Sequence, residues 1–171
     1  DISHLQQRDP ERTGYATQKP LKLLERLLEE LRQTTELSYA KEILGQIVVI
    51  GTYIKRRSNL IFASNQRRSI AAEELGLCLN ESVANLRLYG ADCQANLELE
   101  GQLQQETAYA VYDMFEAVVE AALPGLSSLL FYAGEQDQLI SVHIGVLGGR
   151  DYAEMLERFP QINLETDEDG I

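Results

Sequence analysis

Two apolar stripes, one after the other, constrain this chain more than any other feature. Leu21, Leu24, Leu28 and Leu31 recur at 3-4-3 spacing, with Leu27 broadening the stripe. Ile43, Ile47, Ile50, Ile54 and Ile61 repeat at heptad-like positions, with Leu44, Val48 and Gly51 beside them. Residues three and four apart share one face of a helix, so the pattern predicts two amphipathic helices. The first begins at Pro20, since a first-turn proline loses no hydrogen bond. After a short break at Gln33–Ser38, the second runs from Ser38 to about Ala63, its stripe interrupted at Arg57-Ser58. Two such helices with a short connection form an antiparallel hairpin. A lone hairpin leaves much of its seam in water. A second copy would bury it in a four-helix bundle, which predicts a homodimer through Leu21, Leu24, Leu28, Leu31, Ile43, Ile47, Ile50 and Ile54. The alternative is that both helices pack on the rest of the chain.

Charge divides the chain at the end of that hairpin. Residues 1–68 hold 12 Lys and Arg against 8 Asp and Glu; residues 69–171 hold 3 against 19, a net charge of −16. All four lysines precede residue 56. Such asymmetry suggests two parts with different duties. Phosphate contacts need clustered cations, so the acidic part is a poor partner for nucleic acid or a polyphosphate. No apolar run approaches the ~20 residues that span a bilayer, so no membrane segment is expected. Two cysteines, Cys78 and Cys93, are too few for a disulfide framework and fit a reducing, cytoplasmic compartment. The chain starts with Asp1 rather than Met and reads as a piece of something longer, such as the cytoplasmic part of a membrane-bound sensor.

Residues 1–19, with Pro10 and Gly14, read as an irregular lead-in, followed by the hairpin over 20–66 and a lobe over 69–171. In the lobe, Leu75, Leu79, Ser82, Leu86 and Tyr89 mark a helix over Ile70–Tyr89, which Gly90 ends. Ala95–Leu99 alternates as a strand, and Glu100-Gly101 turns. Ala108, Val111, Phe115, Val118 and Ala122 mark a helix over Gln104–Ala122. Strands at Ser128–Tyr132 and Leu139–Val146 flank a turn-like Ala133–Gln138; a helix at Asp151–Phe159 and a strand at Gln161–Glu165 follow. That order predicts an α+β protein: a two-helix hairpin, then helices layered on a mixed or antiparallel sheet.

Chemistry-bearing residues are few. His143 alternates with Val142, Ile144 and Val146 and reads as a solvated strand histidine. His4 lies in the lead-in, separated by Pro10, Gly14 and Pro20 from the seam where a phospho-accepting histidine would need a fixed place. No Cys/His cluster has metal-ligand spacing. Cys78 falls on a helical stripe and reads as core. Lys55, Arg56 and Arg57 close the second helix. They either complement the helix dipole or dock an acidic surface, on a partner or on the lobe itself. Exposed ion pairs are worth only ~0–1 kcal/mol each, so such a joint is expected to be salt-sensitive.

Two strings carry a family resemblance. Tyr53-Ile54-Lys55-Arg56-Arg57-Ser58-Asn59-Leu60, closing a helical hairpin, resembles sensor histidine kinases of Firmicutes, whose dimerisation hairpin runs into an ATPase-like domain. Glu106–Leu123, with its run from Ala110 to Ala122, resembles that domain's N-box helix. Element order extends the resemblance over about residues 17–171. It implies a histidine-kinase ATPase fold, with Glu116 and Glu120 near the Mg²⁺ position and Gly145 and Gly148 in the adenine-reading string. The departures are large. Glu120 stands where the family has Asn, the string Ile144–Gly149 has no carboxylate, and the second glycine-rich loop is absent. Counting back along the leucine stripe puts the family's histidine near Tyr15. These departures imply a degenerate kinase core with no cofactor. It would act by dimerising and by docking a response regulator or other signalling protein. The alternatives are an active kinase using ATP and Mg²⁺, or a histidine phosphotransferase for which only His4 is available.

Overall fold

The structure, a computed structural model, describes residues 2–64, 68–123 and 125–148, with side chains from residue 18 onward. The elements are α1 (Ile2–Gln33), α2 (Leu37–Ala63), β1 (Ser69–Ala71), α3 (Ala72–Tyr89), β2 (Asp92–Glu98), β3 (Gln102–Gln104), α4 (Gln105–Ala122), β4 (Ser128–Gln136) and β5 (Leu139–Leu147). This is the expected α+β architecture: a helical hairpin leading into a layer of helices on a sheet. The helix and strand expected after Asp151 lie outside the described residues.

The hairpin turns in three residues, 34–36. The Thr34 hydroxyl donates to the Glu30 carbonyl at 2.7 Å and its N–H to the Leu31 carbonyl at 3.2 Å, closing α1. Leu27, Ile43 and Ile50 are buried between the two helices, with Leu23, Leu24, Leu31, Ile47 and Ile54 packed around them. The lead-in is not irregular: α1 is continuous from Ile2, and Pro20 sits buried well inside it. Proline removes one donor, while Ala16, Gln18 and Lys19 just before it and the Leu-, Glu- and Arg-rich run after it are strong helix formers.

The lobe is built on a three-stranded sheet in the order β2-β4-β5, with β2 parallel and β5 antiparallel to β4. A separate antiparallel pair, β1 and β3, ties the starts of α3 and α4 together. Three-residue strands are too short to show alternation: the sequence pattern places Ile70 and Ala71 of β1 and Gln104 of β3 in the helices that follow, and gives Gln102 and Leu103 no element. α3 ends where Gly90 takes the left-handed φ of 115°. There the Ala91 N–H reaches the Leu86 carbonyl at 3.0 Å and the Gly90 N–H reaches that of Arg87 at 3.1 Å. The β4–β5 connection is tighter than expected. Only Asp137 and Gln138 turn, both at positive φ, as a two-residue hairpin requires. Ala133 and Gly134 therefore belong to β4, paired with Val142 and Ser141.

One sheet face carries Cys93, Leu129, Phe131 and Ala133 against α3 and α4; the other exposes Gln94, Asn96, Leu130 and His143. His143 is solvated as expected, with its ring 6.0 Å from that of Tyr132. The core does not stop at the lobe. Val49, Tyr53 and Leu60 of α2 are buried in the same cluster as Leu75, Leu79, Tyr112 and Phe115. α2 thus packs on α1 with one face and on α3 with another. At Gly45 the approach is so close that a Cβ would come within 2.6 Å of the Tyr89 ring.

The two buried cysteines give a test of this core. Burial pushes the thiols of Cys78 and Cys93 from the ordinary 9.0 up to about 11. The unfolded chain then loses these protons first as pH rises. Their stabilising effect is complete below about pH 9 and is lost as pH passes through about 11. Urea midpoints should stay level through neutral pH and fall over that alkaline range. A Cys78→Ala, Cys93→Ala double variant, whatever its baseline, should fall less steeply.

Candidate functional site at the hairpin–lobe junction

The polar residues that sequence reasoning spread over two motifs meet where α2 crosses α4. Tyr53 and Arg57 are one turn apart on α2; Tyr109 and Asp113, and Tyr112 and Glu116, are one turn apart on α4. Four-residue spacing puts each pair on one face. Arg57 is 3% exposed, and its Nε donates to Asp113 Oδ1 at 2.8 Å while Nη2 approaches Oδ2 at 3.3 Å. The Tyr53 hydroxyl donates to the same Oδ1 at 2.8 Å. The Arg57 guanidinium carbon lies 4.1 Å above the centre of the Tyr109 ring, a cation–π contact. Deeper in, the Tyr112 and Ser82 hydroxyls share a 2.8 Å hydrogen bond, and the rings of Tyr53, Tyr112, Phe115 and Phe131 follow one another at 5.5, 6.3 and 5.5 Å.

The electrostatics of this cluster suit holding rather than reacting. Burial, with the Asp113 and Glu116 charges beside it, pushes the Tyr53 hydroxyl far above the ordinary phenol range. Burial does the same at Tyr112, against the lowering effect of its Ser82 hydrogen bond. Both phenols stay protonated at neutral pH, and Tyr53 serves as a donor to Asp113.

The structure disperses the expected site residues. Glu116 is buried at the junction beside the two tyrosines, and Glu120 is half-buried one turn further on. Gly145 lies on the exposed sheet face opposite Leu130, away from α4. Gly148 follows β5 at a φ of 95°, packed against the Gly125 backbone. The fold therefore separates Gly145 from the two glutamates that the family resemblance grouped with it. None of the four lines the groove of about 560 Å³ between α3 and β2. Among the described residues, no group of three or more His, Cys, Asp or Glu could hold a metal ion.

The basic end of the hairpin divides in the same way. Lys55 is exposed, Arg56 pairs with Glu81 of α3, and Arg57 is the buried anchor. The lobe itself is the acidic surface that Arg56 and Arg57 meet. The salt-sensitive joint expected from exposed pairs gives way to a buried one, because Arg57 points inward, where screening is weak. The seam residues divide too. Ile43 and Ile50 are buried inside the hairpin of a single chain and so are taken out of the expected dimer interface. Leu21 and Leu28 remain 44% and 49% exposed. Sequence reasoning missed Asp113. Its only signal was its place one turn after Tyr109, and helical spacing cannot say which helix a face meets.

No family model matches the chain, and no curated protein matches it. A solved structure described as that of a bacterial phosphotransferase is similar over 98% of this chain and 80% of its own, at 14% identity and a TM-score of 0.48. Among the described residues, no helix is long and apolar enough to cross a membrane.

Removing one partner of a buried ion pair strands the other. Asp113→Ala should therefore lower unfolding free energy by roughly 3–5 kcal/mol. The double variant Arg57→Met, Asp113→Leu should lose clearly less. Chemical denaturation of the two variants checks this.

Proposed function

We propose that the chain is a dimeric signalling module, shaped like a histidine-kinase core, that acts by self-association and partner docking rather than nucleotide chemistry. The observation that carries this is an open apolar face on the hairpin. Leu21, Leu28, Leu44 and Val48 are 44%, 49%, 47% and 50% exposed. At 100° per residue, Leu21 and Leu28 lie to one side of the buried Leu27, and Leu44 and Val48 to one side of the buried Ile43 and Ile50. Because the helices run antiparallel, both offsets fall on the same face of the hairpin. Gly51 lies on that face too. A Cβ there would meet nothing within 4 Å, so no neighbour among the described residues requires a glycine that weakens the helix. A second hairpin packed closely against this face would use it and would bury the leucines. The burial of Glu116 and the distance of Gly145 from it support a lobe without a working nucleotide site.

A Leu44→Lys, Val48→Lys variant should fold normally, since both positions are half in water. It should associate about two orders of magnitude more weakly, because an unpaired charge in an apolar seam costs several kcal/mol. Light scattering on a concentration series checks this; an unmodified chain that stays monomeric at high micromolar concentration would refute the dimer. In a parallel thermal titration, Mg·ATP should leave the melting midpoint unchanged. An increase that saturates with ligand would restore the active-kinase reading.

The continuity of α1 favours a second reading, phosphotransfer through His4. The prolines expected to cut this histidine off from the seam do not break the helix that carries both. Incubation with phosphoramidate should then form an acid-labile phosphate on the unmodified chain and none on His4→Gln.

A further inference from the structure

Among the described residues, β2 is an edge of the three-stranded sheet, paired with β4 alone. In a parallel ladder the main-chain groups of successive residues point alternately to the two sides. The Asp92 N–H reaches the Ser127 carbonyl at 2.9 Å, on the β4 side, whereas the Cys93 carbonyl accepts from Arg87 Nε at 2.8 Å on the other. By alternation, Ala95 and Leu97 turn their N–H and C=O groups outward with Cys93. Arg87 occupies the start of this edge, and no other described residue pairs with the stretch after it.

α3 runs beside that stretch. Glu73, Gly76, Leu77 and Asn80 form one of its faces and, with Ala95, Asn96, Leu97 and Leu99, line the groove of about 560 Å³. Gly76 leaves the middle of the helix wall bare: a Cβ there would come only to 3.6 Å of the Leu97 side chain. Leu77, on the lip, is 63% exposed. An open strand edge beside a helix face, with an apolar floor between them, is the geometry in which an extended peptide adds to a sheet.

We infer that this groove docks an extended segment of a partner protein, paired to β2 alongside α3, in which Lys or Arg alternates with small apolar residues. Charge selects the occupant. Glu73 lines the groove, Asp92 and Glu98 stand on the exposed face of β2 with Glu98 accepting from the Tyr132 hydroxyl, and among the described residues no Lys or Arg lines the groove. A second copy of β2 is disfavoured, since antiparallel pairing centred on Ala95 would set Asp92 opposite Glu98 twice. The chain's own residues 161–171 are disfavoured too: they carry Glu165, Asp167, Glu168 and Asp169 and no cation. A segment with cations at alternate positions would meet the acids on one side and the apolar floor on the other.

The test pans a phage-displayed library of linear nonapeptides on the full chain. Enriched peptides should carry Lys or Arg alternating with apolar residues. When bound, they should slow hydrogen exchange at the Ala95 and Leu97 amides. Ala95→Pro removes one outward N–H without touching the β4 ladder, as edge positions tolerate. It should weaken binding about tenfold or more, as should Glu73→Lys, with melting unchanged. The proposal is overturned if no peptide is enriched, if acidic peptides are enriched, or if Ala95→Pro folds and binds equally. Should Ala95→Pro fail to fold, exchange in the unmodified chain decides: protection at β5 instead of Ala95 and Leu97 also overturns it.

Discussion

The arrangement of this molecule depends on one charged pair held out of water. Arg57 reaches from α2 to Asp113 on α4 and finds a tyrosine on either side of the carboxylate, one donating to it and one beneath the guanidinium. A buried pair of this kind is not a large net source of stability, but it is intolerant of separation, because either partner alone is a stranded charge. Its effect is therefore on geometry: α2 and α4 have one mutual position in which both charges are satisfied. The apolar contacts of Val49, Tyr53 and Leu60 supply the adhesion, and the pair fixes the register.

That constraint changes what the hairpin can do. If α2 ended in exposed cations, the lobe could reorient on it at little cost. With Arg57 buried and Arg56 held by Glu81, α2 belongs to the hairpin and the lobe at once. Packed side chains, rather than exposed cations alone, join the hairpin to α4. Interfaces packed in this way respond by discrete shifts, since close-packed cores do not deform continuously. The same packing buries Glu116 on the turn of α4 that follows Tyr112.

Much of the fold was legible because its signals are periodic. The stripes at Leu21–Leu31 and Ile43–Ile54 specify two helices, and Gly90 and the Pro124-Gly125 pair mark stops. The extent of α1 was not legible, because a proline is a local signal whose penalty was outweighed by the helix formers around it. β1 and β3 were not legible, because three residues cannot show a period of two. For the junction, the helical faces were readable but their pairing was not. Tyr53 and Arg57 lie in one of the strings that carry the family resemblance, and Asp113 lies in the other. Each was legible as half of a surface. Their contact spans 56 residues of sequence and exists only once α3 has set the distance between α2 and α4.

The geometry of α3 then settles whether the two proposed surfaces compete. Its Cys78, Glu81, Ser82 and Asn85 positions face α2 and the junction: Cys78 approaches the Arg56 carbonyl, Glu81 binds Arg56, Ser82 bonds Tyr112, and Asn85 donates to Thr52. Its Glu73, Gly76, Leu77 and Asn80 positions line the groove. At 100° per residue these two sets lie on opposite sides of the helix. The apolar face of the hairpin lies still further away, on a side of α2 that does not meet α3. A second hairpin on that face and an extended segment on β2 would therefore be separated by the full thickness of α2 and α3. They also differ in what they attract, since the hairpin face is apolar and Glu73 lines the groove. Neither proposed partner would obstruct the other, and one copy of the chain could hold both at once, with the packing of α2 on α3 setting the distance between them.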